Sequence, residues 1–193
     1  MAGLSAFRAS RPYSIVGLPP LNNSPEVEAT YSMYAQMTLL LAEAGYYVLP
    51  VALVDETFKR NGLTTAADIH AVGVQKLHDI FGADTALYVM AKDYGSGYTI
   101  VNSAITVTAN AKLVDLKTGA LLWSGTASAN SNENSQSGNG WMGILLTAVV
   151  SQVINSGAEA AHPTAALTSR RLLQGGTRNG LLYGPRSPDY VNE

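Results

Sequence analysis

The chain has no cysteine and few charged side chains, and both absences narrow its chemistry. Of its 193 residues, 13% are Asp, Glu, Lys or Arg, and the formal net charge at pH 7 is −2. A chain without cysteine forms no disulfide, has no thiolate nucleophile and lacks the ligands of the usual structural zinc sites. A chain without a basic surplus lacks the positive face that contacts nucleic-acid phosphates. We therefore expect no nucleic-acid partner.

Long hydrophobic runs are also missing. Glu43, Gln152 and Asn155 interrupt the longest apolar stretches well before about 20 residues accumulate, the length that a membrane-spanning helix needs. The residues after Met1 read Ala-Gly-Leu-Ser, with neither a basic, apolar leader nor a cysteine. Hydrophobic residues nevertheless make up 47% of the chain, which is typical of a globular protein with a proper core. The composition thus predicts one globular domain that does not span a membrane.

The first third of the chain predicts a strand, a helix and a parallel strand. The short apolar run Ser14–Leu18 stops at two prolines, which favours a buried strand that leaves the sheet there. Ser24-Pro25-Glu26 is typical of a helix start, and helically spaced apolar residues follow as far as Gly45. The run Tyr46–Pro50 predicts the next strand. A crossover of this length between strands implies a parallel, right-handed connection.

Two helices are predicted between the second strand and the third. The first runs from Val51 to Arg60 and ends near Asn61-Gly62. The second is opened by a capping box, Thr65-x-x-Asp68, and runs through Phe81 to a glycine stop at Gly82. Both helices are short and amphipathic, so we expect them to pack on the sheet.

The middle of the chain predicts three strands joined by tight turns. Residues Asp84–Lys92 form a nearly continuous apolar strand, and Gly95-Ser96-Gly97 is interpreted as a hairpin turn. Thr99–Asp115 alternates apolar and polar residues, which indicates a long strand with one wet face and a possible position at the sheet edge. In Leu113–Thr126, the turn around Thr118 and Gly119 predicts a second hairpin.

The last third predicts a mobile connection, helices and a tail. Asn130–Gly140 is too polar and rich in glycine to be buried. A helix is expected from Trp141 to about Ala161 with its break at Pro163, followed by a short helix over Thr164–Leu173. The domain boundaries predicted in this way are a flexible segment over 1–13, an α/β domain over 14–174 and an irregular tail over 175–193.

No pattern of catalytic residues stands out. His70 and His78 lie eight residues apart on one predicted helix, so they cannot share a metal ion. The acid pair Asp55-Glu56 is adjacent on a helix, where neighbours do not face one another. No nucleophile elbow and no Walker-type phosphate loop is present. The sequence therefore predicts a non-enzymatic protein without catalytic residues, cofactor or metal site.

One alternative function stays open at this point. A small-ligand-binding or hydrolytic site could lie at the carboxyl ends of the parallel strands, where α/β proteins place ligands. The residues expected there are Asn22, Asn23 and Pro50, close to Pro19.

The tail carries apolar residues that need an explanation. Leu181, Leu182 and Tyr183 are flanked by glycines and prolines, and apolar residues on an irregular tail normally dock on another surface. We expect that surface to be the parent domain or an identical subunit rather than a different partner. Together with a strand edge near Thr99, this pattern favours a homodimer.

Three segments in the same order carry a family resemblance. They read SIVGLPPLNNSPE from Ser14, LVDLKTGALLWSGT from Leu113 and LLYGPRSP from Leu181. From about Ser14 to Pro188 the chain resembles bacterial outer-membrane lipoproteins of unknown function, of the genome-derived neisserial antigen type. More distantly, the first strand ending in Pro-Pro and the VD-x-x-TG pattern resemble the amino-terminal domain of the Tol-Pal periplasmic protein and the curli-secretion lipoprotein.

The resemblance implies a fold, a location and a class of function. The implied fold is a single α/β domain with a mixed, mainly antiparallel sheet and helices chiefly on one face. The chain would be a truncated mature lipoprotein, normally held in the outer membrane by an amino-terminal lipid and facing the periplasm or the cell surface. From the residues alone, a cytoplasmic protein fits equally well. The implied function is a non-enzymatic assembly or interaction component of an export or trafficking system, with envelope lipoproteins or export components as partners.

Overall fold

A mixed, six-stranded sheet forms the centre of the fold. The computed structural model describes residues 2–23, 28–99, 102–130, 157–176 and 180–190. The strands are β1 Ser14–Gly17, β2 Leu21–Asn22, β3 Tyr47–Val48, β4 Thr85–Thr99, β5 Asn102–Asp115 and β6 Leu121–Asn130. Their order is β3-β1-β4-β5-β6, and β2 pairs with β4 beyond the end of β1. β1 is parallel to β3 and β4, whereas the long pairs β4–β5 and β5–β6 are antiparallel.

The described helices lie on both faces of this sheet, and the two longest lie on the same face. They are α1 Ala2–Ser10, α2 Glu28–Glu43, α3 Val51–Arg60, α4 Ala66–His70, α5 Val74–Phe81 and α6 Gly157–Leu173. Side chains of α1, α2 and α6 share one core cluster with one face of the sheet, while α3, α4 and α5 share a smaller cluster with the other. The predicted fold class, a single mixed α/β domain, is confirmed.

Strand alternation divides the core into these two clusters. Successive side chains of a strand point to opposite faces, so Leu87 and Val89 join the cluster under α2 and α6. Ala86 and Tyr88 join the cluster under the short helices. All four residues of β1 are buried, as expected for a short parallel strand between two others.

The glycine-rich turn predicted at Gly95-Ser96-Gly97 is wrong. These residues continue β4, where Gly95 pairs with Thr106 and Gly97 with Ala104 of β5. Glycine is tolerated inside a strand when the partner strand continues the ladder, and a register shift between Ala91 and Asp93 bends β4 just before this point. Over residues 106–114, β5 lies between β4 and β6, whereas among the described residues its first part, 102–105, pairs with β4 alone; the outer strands of the sheet are β3 and β6.

The single helix predicted from the Thr65 capping box is two helices. The cap itself is confirmed, because the Thr65 hydroxyl oxygen accepts a hydrogen bond from the Asp68 amide at 3.1 Å. The helix stops after His70, and Gly73 in an extended conformation caps a new helix, α5. The predicted stop at Gly82 is confirmed, since this residue has a φ of 62° and its amide donates to the His78 carbonyl.

The helix break predicted at Pro163 is also wrong. Helix α6 runs from Gly157 through Pro163 to Leu173. Proline removes one backbone hydrogen bond, but the following turn is held by packing: Ala165 is fully buried, and the Thr168 hydroxyl donates to the Val107 carbonyl of β5 at 3.1 Å. The predicted connection over 131–140 and the helix predicted from Trp141 to residue 156 lie outside the described residues.

The amino-terminal residues differ from the predicted flexible segment over 1–13. Ala2–Ser10 form α1, and the Phe7 side chain is only 4% exposed because it enters the larger core cluster. The Ser10 hydroxyl then donates to an Asp115 carboxylate oxygen at 2.5 Å. One buried aromatic ring and one polar contact thus attach this segment to the domain.

Candidate functional site

The apolar tail residues dock on their own chain. Leu181 is fully buried, and Leu182 and Tyr183 are half-buried. The Tyr46 hydroxyl donates to the Leu182 carbonyl at 2.6 Å, and the Gly184 amide donates to the Ala44 carbonyl at 2.7 Å. The tail therefore packs on the corner between α2 and β3, which is one of the two surfaces that the sequence left open for it.

Gly45 makes this docking possible. It has a φ of +94°, and a side chain there would put a Cβ atom 2.4 Å from the Ser187 amide nitrogen and 2.8 Å from the Gly184 carbonyl oxygen. Such contacts are far inside van der Waals distance, and the backbone conformation is one that other residues rarely adopt. Only glycine lets the tail backbone approach the corner this closely.

Arg186 fixes the end of the tail. Its guanidinium group lies 4.9 Å from the centre of the Tyr13 ring and 5.5 Å from that of Tyr47, and its Nε donates to the Tyr13 hydroxyl at 2.8 Å. These two rings stack on one another at 6.5 Å. All three side chains are exposed at the β3 edge. Their contacts hold the tail against the domain, but they do not enclose a ligand site.

The three residues predicted as an alternative ligand site do not come together. The last residue of β1 pairs with Leu87 of β4, whereas Asn22 pairs with Ala91, four residues further along the same strand. Asn22 therefore lies about 13 Å beyond the end of β1. Asn23 follows Asn22 and its side chain donates to the Met90 sulfur at 3.5 Å. Pro50 caps α3 on the opposite side of β1, next to β3. The two asparagines therefore lie apart from the proline.

A pocket lies instead beside β2, on the face of the sheet that the short helices cover at one end. Its volume is about 260 Å³. The side chains that matter for its chemistry are Leu21, His70, Tyr88, Met90, Asn110 and Lys112. Tyr88 pairs with Lys112 and Met90 with Asn110 across β4 and β5, so strand register places these four side chains on one face. We call this group of residues the β2 pocket.

His70 is held in one orientation at the wall of the β2 pocket. Its Nε2 lies 2.9 Å from the Pro19 carbonyl oxygen, and a carbonyl only accepts, so Nε2 carries the hydrogen. Burial lowers the pKa of His70 below its usual value; the bond to Pro19 opposes this, and the positive charge of Lys112 adds to it. The imidazole is therefore neutral at pH 7, and its Nδ1 is left as an acceptor.

Two further polar groups in the β2 pocket have unusual surroundings. The Asn110 side-chain oxygen is buried without a hydrogen-bond partner among the described residues. The Lys112 ammonium group lies 4.7 Å from the centre of the Tyr88 ring, a cation–π distance. Burial also raises the pKa of Tyr88, so its hydroxyl stays protonated and can donate. Tyr88, Asn110 and Lys112 were not predicted from the sequence as site residues. The local signal for Asn110 and Lys112 was their position on the polar face of β5, and Tyr88 was identified only as part of the strand β4.

The other titratable residues considered from the sequence have structural contacts. Asp55 and Glu56 accept from Lys59 and Arg60 one helical turn later, at 2.6 Å and 2.7 Å, on the exposed surface of α3. The His78 Nδ1 lies 3.0 Å from the Ala83 carbonyl, at the end of α5. Across the described residues, no group of three His, Asp or Glu side chains is placed to hold a metal ion.

Asp84 ties the first strand to the centre of the sheet. One of its carboxylate oxygens accepts hydrogen bonds from the Tyr13 amide, the Ser14 amide and the Ser14 hydroxyl at 2.9 to 3.1 Å. Burial raises the pKa of Asp84, but these hydrogen bonds and one from Lys117 outweigh it, so the net pKa lies below the usual value. A carboxylate with a depressed pKa contributes stability above its unfolded-state pKa, near 3.9, and loses it as the pH falls through the folded-state value.

We expect Asp84→Asn to lower the unfolding free energy at pH 7 by about 2 kcal/mol, because hydrogen bonds to a charged acceptor are lost. The difference from the wild type should shrink as the pH falls below about 4, since Asp84 of the unfolded wild-type chain then takes up a proton that the native carboxylate takes up only at lower pH. Urea unfolding at pH 7 and at about pH 3 measures both values. Asp93→Asn, at an exposed site on β4, is the control and should change stability little. A difference for Asp84→Asn that stays constant with pH would refute the role of its charge.

The outer edge of β6 is the longest unpaired strand edge among the described residues. Its sequence, LLWSGTASAN, contains no charged residue and no proline, the two devices with which edge strands usually resist pairing. Ser124, Thr126 and Ser128 are exposed along it. The Arg171 side chain contacts this edge, because its Nη1 donates to the Ser128 carbonyl at 2.7 Å. We call Leu121–Asn130, on the side away from β5, the β6 edge.

None of the described helices has the length and apolar character required to cross a bilayer.

Comparison with known proteins gives one consistent result. A family model described as "Putative lipoprotein GNA1162-like" matches residues 3–186. The lipoprotein NMB1124/NMB1162 of Neisseria meningitidis serogroup B is 47% identical over 182 residues, which cover 94% of this chain and 84% of that protein. The crystal structure of lipoprotein GNA1162 from Neisseria meningitidis is 52% identical in sequence, with a TM-score of 0.61, over 75% of this chain and all of that one.

Proposed function

The chain belongs to the GNA1162-like lipoprotein family, and from this premise we propose that it is a non-enzymatic, lipid-anchored component of the outer membrane that assembles with other proteins in export or trafficking. The observation that supports an assembly role is the β6 edge, a strand of 10 residues without charge or proline. A strand edge of this kind pairs readily with a further strand. The matches described above are lipoproteins, and no family of enzymes is among them.

The lipid anchor is tested in the bacterium that carries the gene, with the gene in its natural form. Metabolic labelling with radioactive palmitate should mark the protein, and density-gradient separation should place it with the outer membrane. A lipid chain buried in a bilayer contributes about 0.8 kcal/mol per methylene group, so washing with salt should not release the protein. An unlabelled protein in the soluble fraction would contradict the proposal.

The self-association expected from the sequence is proposed at a different surface. Leu181 is buried within a single chain, so this residue packs on its own domain and is not available to a second subunit. The β6 edge is the surface that a second copy would use, strand against strand, in a symmetric dimer. Such a dimer would continue the sheet across two copies.

We expect Thr126→Lys to weaken this dimer at least tenfold, because two lysines would face each other near the symmetry axis and edge lysines oppose pairing. Sedimentation of the protein at micromolar to millimolar concentration measures the dissociation constant. Ala67→Lys adds the same charge at an exposed position of α4 and should leave it unchanged. A monomeric wild type, or equal effects of the two lysines, would reject the β6 edge as the interface.

A further inference from the structure

We propose that the β2 pocket binds a small carboxylate ligand with an N–H donor close to the carboxylate, the chemistry of an N-acylated amino acid. The elements that would hold it are β2, α4, β4 and β5, which supply Leu21, His70, Tyr88 and Asn110. Ligand binding in this pocket requires neither the lipid anchor nor the β6 edge.

The positive charge at the β2 pocket favours an anionic ligand. Lys112 is the one charged residue among those that line it, and no carboxylate lies there to neutralise it. The ammonium group is already positioned, 4.7 Å from the centre of the Tyr88 ring. A ligand carboxylate would receive charge-assisted hydrogen bonds from Lys112, and the protonated Tyr88 hydroxyl is a second donor on the same wall.

The neutral polar groups of the β2 pocket favour a ligand that carries a hydrogen-bond donor. The Asn110 side-chain oxygen is buried without a partner in the described structure, and such an acceptor costs free energy until a donor reaches it. The second acceptor is His70 Nδ1, because His70 Nε2 is committed to the Pro19 carbonyl. A ligand with an amide N–H beside its carboxylate would satisfy Asn110 and Lys112 together once the Asn110 side chain turns its buried oxygen toward the ligand; a simple carboxylate would not.

The size and the apolar wall define the rest of the ligand. A volume of about 260 Å³ is small for a ligand site and admits a molecule with one short side chain. Leu21 and Met90 form the apolar part of the lining, and methionine adapts readily to different shapes. An aliphatic side chain such as that of leucine fits this wall.

The test uses N-acetyl-L-leucine as probe and N-acetyl-L-leucinamide as its uncharged match. Both carry the same acyl group, N–H and side chain, and only the first has a carboxylate. Titration of the isotope-labelled protein, followed by amide nuclear magnetic resonance, should show saturable shifts around Tyr88 and Lys112 for the acid. We expect the amide to bind at least tenfold more weakly, because it loses the charge-assisted contacts. Equal binding of both probes, or no saturable shift with either, would overturn the proposal.

Two variants locate the binding site. Lys112→Met removes the charge from an exposed side chain and should weaken binding of the acid at least tenfold, whereas Lys76→Met, at an exposed site on α5, should leave it unchanged. Asn110→Leu removes the unpaired oxygen and should weaken both probes while preserving or raising stability. Wild-type affinity in Lys112→Met would place the carboxylate elsewhere and refute this site, and the native amide spectrum of each variant shows that it is folded.

Discussion

Gly45→Ala is expected to lower the unfolding free energy by about 3–5 kcal/mol, among the largest effects of any single substitution in this chain. Two costs add at this position. A non-glycine residue at a φ of +94° is strained, and the new Cβ atom would lie 2.4 Å from the Ser187 amide nitrogen. The Ser187 amide nitrogen and the Gly184 carbonyl oxygen, which the Cβ atom would meet, belong to the backbone and cannot rotate away as a side chain can. The tail therefore has to move away from the corner between α2 and β3. Urea unfolding gives the stability change.

Gly62→Ala is the control that introduces backbone strain at a positive φ without a steric contact. Gly62 has a φ of +77°, but no atom lies within 4 Å of the position of a Cβ there. It should cost only about 1 kcal/mol, the strain alone. Gly45→Ala should also make the tail accessible to limited proteolysis after Arg186, whereas Gly62→Ala should not. Similar losses of stability in the two variants would show that the tail does not depend on its approach to Gly45.

Leu181→Ala is expected to lower the unfolding free energy by about 3 kcal/mol. Leu181 is fully buried in the larger core cluster, which also contains Met37 and Leu172 from α2 and α6. Removing its three terminal carbons leaves a cavity that a tail held at both ends fills poorly. The tail is held on one side by the Gly176 amide, which donates to the Leu181 carbonyl, and on the other by the contact of Gly184 with Ala44.

The neighbour Leu182 is the matched control for this substitution. It is half-buried and packs against the edge of the same cluster, so Leu182→Ala should cost about 1 kcal/mol. Thermal and urea unfolding of both variants decide the comparison. If Leu181→Ala lowers the unfolding free energy no more than Leu182→Ala does, the tail contributes little to the stability of the domain. Its apolar residues would then serve to bind another surface.

Local sequence signals predicted one turn and two helix ends correctly. In the hairpin after β5, Asp115 Oδ1 accepts from the Lys117 and Thr118 amides at 3.0 and 2.7 Å, and Gly119 has a φ of 73°. These contacts join residues within four positions, so the information lies in one short stretch of sequence. The cap at Thr65 and the stop at Gly82 were predictable for the same reason.

The predictions that failed depended on distant partners. Gly95-Ser96-Gly97 has the composition of a turn, but pairing with β5 keeps it in β4. Pro163 has the composition of a helix break, but packing of the next turn on β5 keeps it within α6. In both cases tertiary contacts outweigh local propensity, and a single sequence does not reveal those contacts.

The β2 pocket was beyond sequence reasoning for a similar reason. Its polar residues come from α4, β4 and β5, and only the register between the strands brings Tyr88 beside Lys112. Pro19, near which the sequence predicted a ligand site, lies beside this pocket, because its carbonyl oxygen accepts a hydrogen bond from His70 Nε2. The predicted residues Asn22 and Pro50 are nevertheless far apart, because Asn22 lies in β2 beyond the end of β1 and Pro50 lies next to β3; β2 had not been predicted as a separate strand.

Photo-cross-linking in living cells tests most directly whether this chain acts by assembly at the β6 edge. A photoreactive amino acid is placed at Thr126, and in a second strain at the exposed Ala67 of α4, with the gene at its natural level and two differently tagged copies present. The proposed function predicts a membrane-associated product at position 126 that contains both tags, and none at position 67. The absence of any product at position 126, or equal products at both positions, would contradict it.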